Sequence, residues 1–248
     1  SRTRRCGGPI SDREGFQVLD LINVDAFYGT SRAIQNVTMS VGDGELLSVL
    51  GRNGVGKTTL LRTMTGLMDR VRGELRLDGA SIAQVPTDGR AKIGLAYVPQ
   101  GRGILPRFTV RENLELGRFA RGEKTSHFDD FVFELFPMLN EHLGRLGGNL
   151  SGGQQQQLAI ARALLTDPKV ILLDEPTEGI QPSIVEEIEN VIIRLNREHG
   201  IAIVLVEQNV GFARRASHRF VIMERGTIAA EGRIDQLTDA LVHAHMTV

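Results

Sequence analysis

Gly51-Arg52-Asn53-Gly54-Val55-Gly56-Lys57-Thr58-Thr59 is the stretch on which the fold turns. It follows the apolar run Leu46-Leu47-Ser48-Val49-Leu50, which reads as a buried strand, and it opens into Leu60-Leu61-Arg62-Thr63-Met64, which reads as a helix. Strand, glycine loop and helix in that order form the setting of a phosphate-binding loop. Glycines let the backbone curl so that several N–H groups point at one anion. The helix that follows adds the positive end of its dipole. In this pattern Lys57 reaches the β- and γ-phosphates and the Thr58 hydroxyl is placed to hold Mg²⁺.

Composition narrows the class. The 248 residues carry 29 basic and 30 acidic side chains, a net charge of −1, which argues against a nucleic-acid binder held by bulk electrostatics. Cys6 is the one cysteine, so no internal disulfide forms and a reducing compartment fits. No apolar run approaches the roughly 18 residues of a membrane span. Residues 1–15 lack the apolar core of a secretion signal and read as a flexible tail.

Along the chain, residues 16–28 alternate apolar and polar, as a strand does, and residues 33–41 read as a second strand ending in the hairpin turn Gly42-Asp43-Gly44. Two strands ahead of the phosphate loop predict a small antiparallel sheet beside the nucleotide core. Tyr28, at a strand end, is placed either to stack on an adenine face or to serve as an ordinary half-buried aromatic. Short strands follow at 73–79 and 93–99, the latter ending at Gln100. Thr109 and Glu112 have capping-box spacing at the start of a helix, and apolar spacing predicts another over 127–139. With little strand signal, residues 101–149 read as a helical insertion in an α/β core. A strong helix at 155–166 precedes the continuous apolar strand Val170-Ile171-Leu172-Leu173, which ends in Asp174-Glu175. An amphipathic helix at 183–198, a buried strand at 201–206, a hairpin about Arg225-Gly226 and a closing helix at 234–246 complete the reading. Strands alternating with helices imply a mostly parallel sheet covered on both faces.

Asp174 and Glu175 stand at the end of a buried strand, where ligands lie in open α/β sheets. Asp174 suits the water shell of Mg²⁺ opposite Thr58, and Glu175 suits polarisation of an attacking water. Leu150-Ser151-Gly152-Gly153-Gln154 offers a second anion site: bare N–H groups at a helix start, with the Ser151 hydroxyl beside them. A chain that already has its phosphate loop has use for this tip on a triphosphate held by another subunit, as in a head-to-tail pair.

With these motifs in this order, residues 16–232 resemble the ATP-binding cassette (ABC) family of transporter ATPases. The resemblance implies an α/β P-loop NTPase core with a mostly parallel sheet, an antiparallel β subdomain and an α-helical subdomain at about 101–155, together forming one nucleotide-binding domain over 16–248. It makes the glycine loop the Walker A motif, with Gly51, Asn53, Gly54, Gly56, Lys57, Thr58 and Thr59 on ATP. Tyr28 becomes the adenine-stacking aromatic, and Gln100 the Q-loop glutamine that contacts Mg²⁺ and water. Ser151, Gly152, Gly153 and Gln154 become the signature motif, Asp174 the Walker B aspartate and Glu175 the catalytic carboxylate. Two positions depart from the family pattern. Gln208 stands where histidine is usual, and Gln181 where the D-loop usually ends in aspartate. Gln208 donates a hydrogen bond but carries no titrating proton.

Val206-Glu207-Gln208-Asn209 resembles the branched-chain amino-acid importer subunits. Within that group, Gly51-Arg52-Asn53-Gly54-Val55-Gly56, the run Gln154–Gln157 and the stretch Glu175-Pro176-Thr177-Glu178-Gly179-Ile180-Gln181-Pro182-Ser183-Ile184 look most like the second ATPase subunit of bacterial urea importers. The resemblance further implies a peripheral subunit on the cytoplasmic face of the inner membrane. Its partners would be a second cassette (a related chain or itself), two membrane permeases and an extracytoplasmic solute-binding protein, with no nucleic acid. Residues 102–111, with Ile104, Leu105 and Phe108, read either as permease contact or as subdomain core. A soluble non-transport cassette protein fits less well, because such families carry paired cassettes or a coiled-coil insertion.

Overall fold

The structure is a computed structural model that describes residues 17–122 and 130–246. The expected tail at 1–15, Phe16 and the first turn of the helix expected over 127–139 lie outside the described residues.

β1 (Gln17–Tyr28) and β2 (Ser31–Gly42) pair as an antiparallel hairpin closed by Tyr28 opposite Ser31. β3 (Leu46–Leu50) leads through the glycine loop into α1 (Lys57–Thr65). The turn at 42–44 is not the expected hairpin, because β2 and β3 belong to different sheets. Every residue of β3 is buried, which suits the interior of a parallel sheet and not the flank of a half-exposed hairpin. β4 (Arg70–Leu77) and β5 (Ala80–Ser81) return to the first sheet, of order β2-β1-β4-β5. β4 begins before Gly73, which the sequence suggested as its boundary. A Cβ at Gly73 would overlap the Asn23 carbonyl, opposite a register shift of β1, so the glycine marks a close backbone approach inside the strand.

After α2 (Thr87–Lys92) comes β6 (Leu95–Val98). α3 (Val110–Arg121) opens with the expected capping box. Thr109 Oγ1 accepts from the Glu112 N–H at 3.2 Å, and Glu112 accepts from the Thr109 N–H at 2.7 Å. The next helix is split into α4 (Asp130–Leu135) and α5 (Pro137–Glu141), since Pro137 has no N–H to continue the ladder. α6 (Gly152–Leu164) precedes β7 (Val170–Asp174), α7 (Pro182–Arg197), β8 (Ala202–Val206) and α8 (Val210–Ala216). β9 (Arg219–Glu224) and β10 (Thr227–Arg233) form the closing hairpin. The expected last helix is a 3₁₀ turn, Ile234–Gln236, followed by α9 (Asp239–Met246).

The second sheet runs β10-β9-β3-β8-β7-β6, parallel throughout except for β10 at its edge. Strand alternation sorts its side chains between two cores. Leu47, Val49, Leu172 and Val204 join α1 and the antiparallel sheet on one face. Leu46, Leu173, Ile203 and Leu205 join α3, α6 and α7 on the other. The far end of α1 is fixed by the buried Arg90, which donates to the carbonyls of Thr63, Met64, Ile82 and Val85. These bonds tie the last turn of α1, at Thr63 and Met64, to the segment 82–85 that precedes α2.

Helix α3 packs backbone-close on α6 at Gly117, where a Cβ would overlap the Arg162 carbonyl and lie 3.0 Å from the Leu165 Cβ. Gly117→Ala therefore forces the helices apart. We expect overpacking to cost about 1–3 kcal/mol and to lower Tm by roughly 3–10 °C. An unchanged melting curve measured by circular dichroism would contradict this packing.

Candidate functional site

Four adjacent parallel strands, β6, β7, β8 and β3, end on one rim, and each delivers a polar segment there. The glycine loop follows β3. Gly51, Gly54 and Gly56 all have positive φ, and a Cβ at Gly51 would stand 2.6 Å from the Met223 carbonyl oxygen, so only glycine fits. Lys57, 4 % exposed, donates to the carbonyls of Gly51 at 2.8 Å and Arg52 at 3.0 Å. Its ammonium also lies 3.3 Å from Glu175 Oε1. Asn53 and Gly54 are exposed on the outer curve of the loop. Tyr28 is half exposed beside α1, its hydroxyl 3.5 Å from Thr59 Oγ1 and the Arg62 guanidinium 5.6 Å from its ring centroid.

Asp174 is buried at the end of β7. It accepts from Thr58 Oγ1 at 3.1 Å and from the Tyr97 hydroxyl at 3.2 Å. Burial raises its pKa above the ordinary carboxylate value, against the pull of those two donors. Tyr97 is itself raised, first by burial and then by the Asp174 charge. Thr58 and Asp174 form a pair of hard oxygen donors. Mg²⁺ keeps several of its waters and needs few protein ligands, so this pair fits it. Gln100, the third residue expected on the metal, is exposed and donates to Glu178 Oε2 at 2.7 Å.

Glu175 directly follows Asp174 with φ 48°, the left-handed region that costs a non-glycine residue energy and marks functional positions. The Glu175 N–H to Val206 carbonyl bond, 2.9 Å, holds it there. Its carboxylate sits between Lys57 and the Gln208 amide, which donates to Oε2 at 2.8 Å. Lys57, Glu175 and Gln208 thus form one connected group.

Ser151 caps α6. Its Oγ accepts from the Gln154 N–H at 3.3 Å, while Gln154 Oε1 accepts from the Ser151 N–H at 3.0 Å. Gln154 thereby takes a capping role, and the Ser151 hydroxyl proton stays free to donate outward. A Cβ at Gly153 would overlap Ile184, and one at Gly152 would stand 2.9 Å from an Arg102 guanidinium nitrogen. Arg102 in turn donates to Gln155 at 3.0 Å, which ties the segment after Gln100 to the signature helix. The contact residues weighed from sequence divide: Ile104 packs against the core, whereas Leu105 and Phe108 are exposed, as is nearby Leu146.

Two residues at this rim drew no functional reading of their own from the sequence. Tyr97 was read only as a strand residue, although it is one of just two tyrosines. Glu207 passed as part of a family motif, although a charged residue ending the apolar run of β8 was a visible anomaly.

Known proteins are similar to this chain over most of its length. Residues 34–178 match the family model described as ABC transporter. The branched-chain amino acid transport ATP-binding protein BraG of Pseudomonas aeruginosa is 39 % identical over 212 residues, 85 % of this chain and 91 % of the relative. The probable branched-chain amino acid transport protein LivF of Archaeoglobus fulgidus is 33 % identical over 223 residues, 90 % of this chain and 94 % of the relative. Among solved structures, the dimeric post-hydrolysis cassette MJ0796 bound to ADP and Pi superposes with a TM-score of 0.76 at 27 % identity, covering 87 % of this chain and 98 % of that one. The ADP conformation of the cassette MJ1267 gives 0.78 at 28 % identity, covering 93 % and 98 %.

Proposed function

The chain belongs to the ABC transporter ATP-binding family, whose members hydrolyse ATP, and from that premise we propose that it powers a solute importer, with urea as the solute. The reading is carried by the group Lys57–Glu175–Gln208 at the strand ends, with Thr58 and Asp174 beside it.

Lys57 and the loop N–H groups hold the β- and γ-phosphates, and Tyr28 stacks on the adenine. Mg²⁺ bound at Thr58 and Asp174 would neutralise phosphate charge. Glu175 accepts a proton from the attacking water, which Gln208 orients. Ser151, Gly152 and Gly153 approach the γ-phosphate held by a second cassette. Closure of the pair moves the helical unit α3–α5 against a membrane permease, with Leu105, Phe108 and Leu146 at the contact. No described helix is long and apolar enough to cross a membrane. In this reading the chain sits on the cytoplasmic face beneath two permease subunits, fed by a solute-binding protein. The second cassette is a related chain or another copy of this one.

Urea is supported by the resemblance of the loop Glu178-Gly179-Ile180-Gln181-Pro182 and the Gln154–Gln157 run. A second reading, branched-chain amino acids, is favoured by the names of BraG and LivF. Uptake of labelled urea and labelled leucine in a strain deleted for this chain separates them. Loss of urea uptake alone is the expected result. Loss of leucine uptake alone establishes the second reading, and retention of both removes urea and leucine as the solute.

A further inference from the structure

We propose that Glu207 is a positioning residue for hydrolysis, fastening the turn that carries Gln208 to the loop that carries Glu175. It is 4 % exposed. Its Oε1 accepts from the Thr177 hydroxyl at 2.7 Å. Its Oε2 accepts from the Gln208 N–H at 3.0 Å and the Asn209 N–H at 3.2 Å. The Gln208 side chain then reaches Glu175 at 2.8 Å, and Glu175 is two residues before Thr177. Glu207, Gln208, Glu175 and Thr177 therefore close a ring in which the buried carboxylate sets the backbone from which the switch amide is aimed.

A role in stability alone does not account for this residue. Burial is the largest influence on Glu207 and pushes its pKa up. Its three hydrogen bonds oppose that rise, and the nearby Glu175 charge adds to it. A buried carboxylate facing another carboxylate disfavours its own charged form. What the group supplies is direction: two acceptor oxygens at fixed positions, one for each loop.

The inference rests on the reading of this chain as an ATPase, and the two are separable, because wild-type hydrolysis tests that reading while variant ratios test the ring. In the full chain, Glu207→Ala should lower kcat about 10- to 100-fold, the scale of a misplaced reacting group, with KM for ATP within about twofold of wild type. Glu207→Gln preserves the connections, because its carbonyl faces the two N–H groups and its amide donates to Thr177 Oγ1. It should restore most of kcat. Thr177→Val, which cuts the ring on the other side, should lower kcat several-fold, and adding it to Glu207→Ala should cost little more. Amide exchange at Gln208 and Asn209 should quicken in Glu207→Ala while β8 stays protected. The proposal is overturned if Glu207→Ala keeps full kcat, if kcat and KM worsen in parallel, or if Glu207→Gln is no better than Glu207→Ala. Should Glu207→Ala fail to fold, Thr177→Val carries the test, and an unchanged kcat there overturns it equally.

Discussion

Glu175→Gln is expected to remove ATP hydrolysis by about 10²- to 10⁴-fold, the usual contribution of a positioned base, and to leave ATP binding within about threefold of wild type. The carboxylate has two tasks at once. Oε1 lies 3.3 Å from the Lys57 ammonium, and Oε2 accepts from the Gln208 amide. A glutamine has one acceptor and one donor end, so it satisfies one of these two donors and presents an N–H to the other. It also has no site that takes a proton from water. Binding should survive because, in the proposed reading, the loop N–H groups, Lys57 and Tyr28 hold the nucleotide without this carboxylate, and losing the Lys57 ion pair frees the ammonium for phosphate. Phosphate release and displacement of a fluorescent ATP analogue measure the two quantities. Hydrolysis within tenfold of wild type would remove Glu175 from the chemistry.

The backbone at this position is unusual, although six other described non-glycine residues share the left-handed region. A glutamate at φ 48° is held in place by the Val206 carbonyl on one side and by the buried strand β7 on the other. Strain of this kind persists where surrounding structure over-determines a residue, and such sites concentrate where chemistry occurs.

How legible each part was in the sequence depended on whether its cause was local. β3, β7 and β8 could be read directly, because a strand buried on both faces is a largely apolar run, broken here only by Ser48 in β3 and by Asp174 at the end of β7. The phosphate loop was legible because its glycines are demanded by backbone geometry at Gly51, Gly54 and Gly56. Where one residue type serves two geometries, the reading failed. Gly73 looked like a strand boundary and is a close approach within β4, and the glycines at 42 and 44 looked like a hairpin and are a crossing between sheets. The span of α6 was begun at Gln155, three residues late, although the two glycines were read as a helix start and Ser151 and Gln154 have capping-box spacing. Contacts set by topology left no local trace. Gln100 meets Glu178 across 78 residues and Tyr97 meets Asp174 across 77, because β6 and β7 are neighbours in the sheet.

Ser151→Asp is expected to suppress hydrolysis by at least about 100-fold while the folded chain and its own ATP affinity are unchanged. Aspartate matches serine as a helix N-cap, and its charge is favourable at the positive end of α6. The capping pair with Gln154 therefore survives and Tm should move little. A nucleotide held by this chain's own glycine loop is unaffected in the proposed arrangement, since the Ser151 tip serves the other cassette. What changes is closure. A carboxylate about 4 Å from a γ-phosphate charge opposes it by about 4 kcal/mol per unit charge at the effective dielectric of a protein surface, close to a thousandfold. Substitution with arginine would confuse the outcome, because it removes the cap and adds a cation that attracts phosphate. With aspartate, retained Tm, retained binding and lost turnover together identify a group that acts across the interface. If turnover persists in the assembled transporter, α6 does not face the nucleotide, and the two-cassette grip on each ATP is wrong even though the glycine loop and Glu175 keep their roles.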